Sequence, residues 1–338
     1  MSNVLTIGVV GAGNWGRNVL RNFASAKRVR VKHICDLDEG LLDSLKTSYP
    51  GVQTGPDLKV VLRDPEVQAV VIATDAPSHV ALARAALTAE RHVFVEKPLA
   101  LSSRDARELV ELAARVHRKL MVGHLLEHHP AVQAIGEMIR TGVLGDVYYM
   151  YTQRINLGVV RSNENAWWSL APHDISVVCR LFDATPTEVT AQGQCYLRDG
   201  VEDVAFATLR FADGRLAHIH VSWLDPHKIR KMTIVGTKKM VTFDDMSANE
   251  KIRIYDKGAE VSQDLRDFAD VVSLRVGDIV IPRSPGGEPL AAEVRHFVEA
   301  VLDDKPVLTD GHDGWRVVRV LEAGQRSLAD GGRPAPVE

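Results

Sequence analysis

The 338-residue chain has only three cysteines, Cys35, Cys179 and Cys195, and none of them forms a C-x-x-C spacing. An odd, scattered count supports neither a disulfide framework nor a thiolate metal site, and it suits a reducing cytoplasm. Runs of one charge are also missing: 41 lysines and arginines nearly balance 44 aspartates and glutamates, for a formal charge of -3. Neutralising phosphates takes clustered cations, so no nucleic-acid partner is expected. No apolar run approaches the ~20 residues of a membrane span, and the apolar start VLTIGVV lacks a basic leader and runs straight into glycines. A cytoplasmic protein with no membrane partner is expected. What the chain does have is apolar content, 45%, enough for a sizeable core and, at this length, two domains.

Residues 4–10, VLTIGVV, read as a buried parallel strand, short, β-branched and bounded by glycine. GAGNWG follows, with Gly11, Gly13 and Gly16 at dinucleotide-binding spacing and Asn14 and Trp15 between them, and then a helical RNVLRNFASA. A second apolar run, VRVKHICD, ends in Asp36, twenty residues beyond Gly16. Gly11 permits the tight turn, Gly13 the approach of a pyrophosphate, and Gly16 close packing of helix on strand. The helix start offers N–H groups and a positive dipole end to the phosphates. Asp36 would accept hydrogen bonds from the ribose hydroxyls and repel a 2′-phosphate, which favours NAD over NADP. The alternative reading of the same residues is a structural glycine turn with a solvated aspartate.

The alternation continues through strands VQAVVIAT (67–74), HVFVEKP (92–98) and LMVGH (120–124), separated by helical PSHVALARAALTAE and SRDARELVELAARVH. This rhythm predicts a doubly wound parallel sheet, with ligands beyond the carboxyl ends of its strands. The residues expected there, and expected to meet the cofactor, are Thr74, Asp75, His79, Glu96, Lys97 and His124, with Pro98. Lys97 ends an apolar strand before a proline, where partial desolvation would tune its pKa for acid/base work. The Lys97–Pro98 bond is read as either a plain trans turn or a cis peptide. His124 and His128 stand at i, i+4, but no third acidic ligand accompanies them, so no metal is expected. His128 and His129 are read as lining an entrance or capping the next helix.

With EKP after a GxGxxG and an ATDAPSH loop, the chain resembles the Gfo/Idh/MocA family of oxidoreductases. The segments NLGVVRSNENAWWSLAPHDIS, EDVAFATLRFADG and HVSWLDPHKIRKMTIVGTKKM carry the likeness into the second half. The resemblance implies an N-terminal Rossmann domain, residues 1–122, and a C-terminal α+β domain, residues 123–338, built on a large open, mostly antiparallel sheet. It also implies a homodimer or homotetramer through that sheet. The residues agree on strands: VAFATLRFADGRLAHIHVSW reads as a hairpin about Ala-Asp-Gly.

What the family does is exchange a hydride between nicotinamide and a secondary alcohol or ketone of a sugar or cyclitol. The resemblance makes Lys97 the partner of the reacting oxygen and His173 the proton carrier, a role its ordinary pKa suits. His173 has the alternative of being a satisfied buried histidine. Asp174 is expected to start a helix, ISVVCRLFDA, behind Pro172. Most family members have aspartate four residues before the histidine; this chain has Ser169. Arg154, Asn156, Arg161, Asn163 and Asn165 are donors suited to a sugar, and Lys228, Arg230 and Lys231 to a diphosphate. NLG-x-x-R, APHDIS and SWLDPHK resemble most the members acting on C3 of UDP-N-acetylglucosamine or its uronic acid. The rivals are an inositol or free-sugar dehydrogenase, a redox-neutral enzyme holding NAD permanently, and a non-catalytic NAD sensor.

Overall fold

The apolar run at the start of the chain is strand β1 (Leu5–Val10), all six residues buried. The structure, a computed structural model, describes residues 4–158, 160–161, 164–261, 272–283 and 286–338. After the glycine loop come α1 (Gly16–Ser25), β2 (Val29–Cys35), α2 (Glu39–Ser48), β3 (Gln53–Gly55) and α3 (Leu58–Arg63). β4 (Ala69–Ile72), α4 (Ala76–Thr88), β5 (His92–Glu96), α5 (Ser103–Arg115) and β6 (Leu120–Gly123) complete the alternation. The six strands form one parallel sheet in the order β3-β2-β1-β4-β5-β6. The chain moves outward from β1 to β3, then crosses back to build the other half. The carboxyl ends of β1 and β4 therefore flank the switch point where such sheets hold ligands.

The second sheet begins after α6 (Pro130–Arg140), with β7 (Val147–Ile155), α7 (Ala166–Phe182), β8 (Glu188–Gln194), β9 (Val204–Arg210) and β10 (Leu216–Ser222). β11 (Ile229–Gly236), β12 (Met240–Asp244), β13 (Ile252–Val261) and β14 (Val272–Val280) follow. The chain ends in α8 (Pro289–Leu302), α9 (Gly311–Ala329) and β15 (Ala335–Pro336). The nine strands lie in the order β14-β13-β12-β11-β7-β10-β9-β8-β15, with β7 and β10 parallel and the other pairs antiparallel. The hairpin expected about Asp213 and Gly214 is β9–β10. α7 covers the inner face of β7, β9 and β10, and period-two alternation leaves Tyr149, Tyr151, Phe206 and His218 exposed on the other face.

The chain divides into two compact units, residues 1–128 with 287–319, and residues 129–286 with 320–338. The first unit thus includes residues 287–319, which the resemblance places in the C-terminal domain. The reason is packing: α8 places Phe297 edge-on against Phe23 of α1 at 6.1 Å and Phe94 of β5 at 5.7 Å, closing an aromatic core.

α7 departs from the sequence expectation. It starts at Ala166, not at Asp174, and carries Pro172 inside it. Proline there costs the Trp168 carbonyl its helical hydrogen bond. The first turns hold nevertheless, because Asn165 caps them by accepting from Trp168 N at 2.9 Å, and the buried Trp167 indole donates to the Leu321 carbonyl at 2.9 Å.

Candidate active site

The glycine loop has the geometry its spacing promises. Gly11 sits at φ +86, where a side chain would also strike the Ala73–Thr74 backbone, and a Cβ on Gly16 would lie 2.4 Å from the Gly11 carbonyl oxygen. Gly13 differs: a Cβ there meets nothing within 4 Å. The fold needs Gly11 and Gly16, whereas the space above exposed Gly13 is kept open, which fits a pyrophosphate. No side chain caps the start of α1 at Trp15, leaving that end to an external anion. Asp36, just past β2, accepts from Ala12 N at 2.7 Å and from Asp38 N at 3.0 Å. A carboxylate has roughly four lone-pair positions, so capacity for ribose hydroxyls remains. These residues fit a dinucleotide.

The other expected cofactor contacts divide. Thr74 Oγ1 lies 2.6 Å from Ser78 Oγ, in the loop that leads into α4 from Asp75. His79 is a strut: its Nδ1 lies 2.7 Å from the Pro98 carbonyl and its Nε2 2.9 Å from the Thr74 carbonyl, so in either tautomer its ring N–H donates to backbone. Burial pushes its pKa down, against the pull of the two carbonyls. It braces the Thr74 loop against the Lys97–Pro98 bond, which is cis.

Around Lys97 the first unit buries a set of carboxyls. Glu96 ends β5, 7% exposed; burial pushes its pKa up, opposed by a hydrogen bond from the Trp15 indole and by Lys97. Glu293 of α8 is fully buried, and neither of its carboxyl oxygens has a hydrogen-bond partner among the described residues. Burial pushes it well above the usual carboxylate range, with Glu96 and Glu127 adding to the rise. It is therefore a neutral acid over a pH range where other glutamates are ionised. His124, at the end of β6, is also fully buried, with both ring nitrogens lacking a hydrogen-bond partner among the described residues. Burial first, then Lys97, hold its pKa down at about 3, so it is a neutral imidazole. Sequence reading missed Glu293, although a signal exists: with Leu290, Val294 and Phe297 it shares the apolar stripe of α8.

In the second unit, His173 lies half-buried on α7, four residues after buried Ser169. Asp174 is a buried mid-helix residue, and it receives Arg154 Nε at 2.6 Å and Nη2 at 3.4 Å. Arg154, expected to bind substrate, is a tether that ties α7 to β7. Asn165 is the α7 cap, and its amide donates to Glu202 at 2.6 Å and Gln325 at 2.8 Å, so its hydrogen-bonding groups are engaged internally. Arg161 pairs with Glu164 at 3.0 Å. Asn156 is half-buried just past β7, and Asn163 lies outside the described residues. Arg230 is half-buried on β11, while Lys228 and Lys231 are exposed. His129 caps α6 by accepting from Ala131 N at 3.0 Å. Among the described residues no three His, Cys, Asp or Glu side chains are grouped to hold a metal, and no helix is long and apolar enough to cross a membrane.

Residues 5–124 match the family described as the oxidoreductase family with an NAD-binding Rossmann fold, and residues 132–242 match its C-terminal domain. The chain belongs to the Gfo/Idh/MocA family. It is 28% identical to UDP-N-acetylglucosamine 3-dehydrogenase of Acidithiobacillus ferrooxidans, over 92% of this chain and 93% of that one. The myo-inositol 2-dehydrogenase of Thermotoga maritima is 23% identical over 96% and 97%. The solved structure of the Acidithiobacillus enzyme superposes with a TM-score of 0.81 at 25% identity, covering 97% and 99%. GenD2 of gentamicin A biosynthesis, solved in complex with NAD, gives 0.82 at 25% identity, covering 98% and 96%. Gfo/Idh/MocA membership gives this chain an NAD-binding Rossmann fold of an oxidoreductase family.

Proposed function

We propose that this oxidoreductase exchanges a hydride between NAD and C3 of a UDP-N-acetylhexosamine or its uronic acid. The observation that carries the reading is likeness over nearly the full chain, 92% of it, to a UDP-N-acetylglucosamine 3-dehydrogenase. NAD is preferred to NADP because Asp36, half-buried past β2, presents a carboxylate where a 2′-phosphate would be repelled. Asn14 and Trp15, exposed in the glycine loop, border the pyrophosphate path. Bound NAD supplies the hydride acceptor. Lys97 hydrogen-bonds the reacting oxygen and stabilises its developing negative charge, and His173 carries the hydroxyl proton away.

Ser169 replaces the aspartate most relatives have there and supplies one neutral hydrogen bond. Three outcomes follow: Lys97 and His173 suffice without that carboxylate, the substrate supplies one, or activity is reduced. The exposed aromatics Tyr149, Tyr151 and Phe206 on the outer sheet face, with Phe206 stacked on His220 at 4.3 Å, support a homo-oligomer formed through that face. The odd, scattered count of three cysteines supports a reducing cytoplasm.

The likeness to inositol dehydrogenases favours a second reading, oxidation of a neutral cyclitol. The test is to identify any nicotinamide retained by the purified protein and screen UDP-N-acetylglucosamine, its uronic acid, free hexoses and inositols for reduced-nicotinamide absorbance. Turnover with a sugar nucleotide is expected; turnover with inositol and with no sugar nucleotide would overturn the proposal. Retained NAD without net turnover would instead mark a redox-neutral enzyme, and loss of every reaction with NAD binding intact a sensor.

A further inference from the structure

We propose that the Arg230 guanidinium receives an anionic group of the substrate, a carboxylate or a phosphate, on the helix-covered face of the second sheet. The proposal rests on the sugar-nucleotide reading above, whose substrates carry a diphosphate and, in the uronic acid, a carboxylate as well.

Alternation along β11 sets the direction. Arg230 shares a face with buried Met232 and Ile234, whereas Lys231 points to the exposed face and pairs with Asp244 at 3.2 Å. The three cations of HKIRK are thus unlike one another: Lys228 and Lys231 are exposed, and Arg230 is half-buried on the helix-covered face.

Register sets its neighbour. In the antiparallel β7–β11 pair, Arg230 stands directly opposite Arg154. Like charges directly opposite one another repel, and partial burial raises the cost. The Arg154 charge is answered by Asp174, in a pair whose side chains are 7% exposed on both sides. Arg230 takes part in no ion pair within 4.0 Å among the described residues, although Asp174 and Asp245 both face it.

Asp245 is already engaged. His129 Nε2 lies 3.5 Å away and Lys251 Nζ 3.4 Å away, and the His129 hydrogen bond, with Lys251 adding, holds its carboxyl at about 2. Three permanent cations, Arg154, Arg230 and Lys251, therefore face two carboxylates, Asp174 and Asp245. One positive charge is left over, and it falls on the arginine that has no ion pair. Burial, and next the Arg154 charge, disfavour the Arg230 cation, yet arginine does not give up its proton in proteins. Water reaches this half-buried guanidinium, and an anion supplied from outside would answer its charge more strongly. A planar guanidinium fork suits the two oxygens of a carboxylate or a phosphate. Asp174, which faces Arg230, is the chain neighbour of His173, so this receptor lies at the helix–sheet junction that carries the proposed proton carrier.

The test is calorimetric titration of the full-length protein and its Arg230→Gln and Arg230→Lys variants with UDP, UDP-N-acetylglucosamine, its uronic acid, glucuronate and inorganic phosphate. Neutral myo-inositol is the comparison. Losing a charge-assisted fork should weaken the matching anion roughly tenfold to a hundredfold in Arg230→Gln. Arg230→Lys should recover part of the loss, because the charge returns without the fork. Melting temperature checks the fold and should not fall in Arg230→Gln, since an uncompensated charge is removed. Loss confined to the uronic acid and glucuronate assigns the carboxylate; loss shared by UDP and phosphate assigns the phosphate.

Equal affinity of wild type and Arg230→Gln for every anion overturns the proposal, and so does wild-type binding of myo-inositol without any anion. The two readings fail separately. Sugar-nucleotide turnover that is indifferent to Arg230→Gln removes the anion receptor alone. Turnover of inositol only, with phosphate binding still lost in Arg230→Gln, removes the sugar-nucleotide reading alone.

Discussion

The two units bury charge in opposite senses. The first gathers carboxyls, Glu96, Glu127 and Glu293, close to a single lysine, Lys97, and one of them, Glu293, is held neutral by burial. Around β7 and β11 the second gathers Arg154, Arg230 and Lys251, and among the described residues carboxylates pair with Arg154 and Lys251 but not with Arg230. Counting cations along the chain would rank Arg154, Arg161 and Arg230 alike as substrate contacts. Counting partners in space separates them, because among the described residues two are in ion pairs and one is not.

The sharpest break in this contrast is expected from Lys97→Met. Taking the acid/base group from the first unit should slow hydride transfer by about 10²–10⁴-fold, while NAD affinity, read by fluorescence, changes little. A near-normal rate would move the chemistry away from β5. In the second unit, Arg154→Met should cost about 3–5 kcal/mol in a chemical melt, because Asp174 is left buried without its partner. Arg154→Met combined with Asp174→Leu should recover most of that loss; if it does not, the pair does more than tether α7.

Smaller effects divide the glycine loop. Gly13→Ala should leave the melting temperature unchanged, since nothing lies within 4 Å of the new methyl group, yet weaken NAD roughly tenfold. Gly16→Ala, with a Cβ 2.4 Å from the Gly11 carbonyl oxygen, should lower stability as well. A Gly13→Ala variant that binds NAD normally would mean the open space is not for phosphate.

The smallest effect is a pH slope. Glu293 has its folded pKa raised above the ordinary 4.5, so between those two values the folded state holds a proton that the unfolded chain has released. That contribution is full below about pH 4.5 and is lost as pH rises above it. Glu293→Gln should therefore raise the melting temperature more at pH 8 than at pH 5; an equal shift at both would show that Glu293 does not titrate across that range.

Much of the first unit was legible because its signals are local. β-branched runs, a glycine triplet and a terminal Asp36 each report their own structure within a few residues. The second unit was legible as strands and hairpins but not as a site, because Arg154 and Asp174 are twenty residues apart and meet only when α7 lies on the sheet. Pro172 hid the start of α7, since a proline ordinarily ends a helix and Asn165 looked like a sugar ligand when it is a cap. The return of α8 to the first unit is written in no local period; it follows from Phe297 meeting Phe23 and Phe94. Arg230 was within reach, because IRKMTIV alternates and places it with Met232 and Ile234.

The most direct test of the central claim is stopped-flow absorbance at the nicotinamide band when NAD-loaded full-length protein meets UDP-N-acetylglucosamine or its uronic acid. The first turnover reports hydride transfer even where bound NADH is not released. A burst of reduced nicotinamide with at least one of the two, absent in Lys97→Met, is the predicted result. No burst with either, from protein shown to hold NAD and to reduce it with myo-inositol, would contradict it.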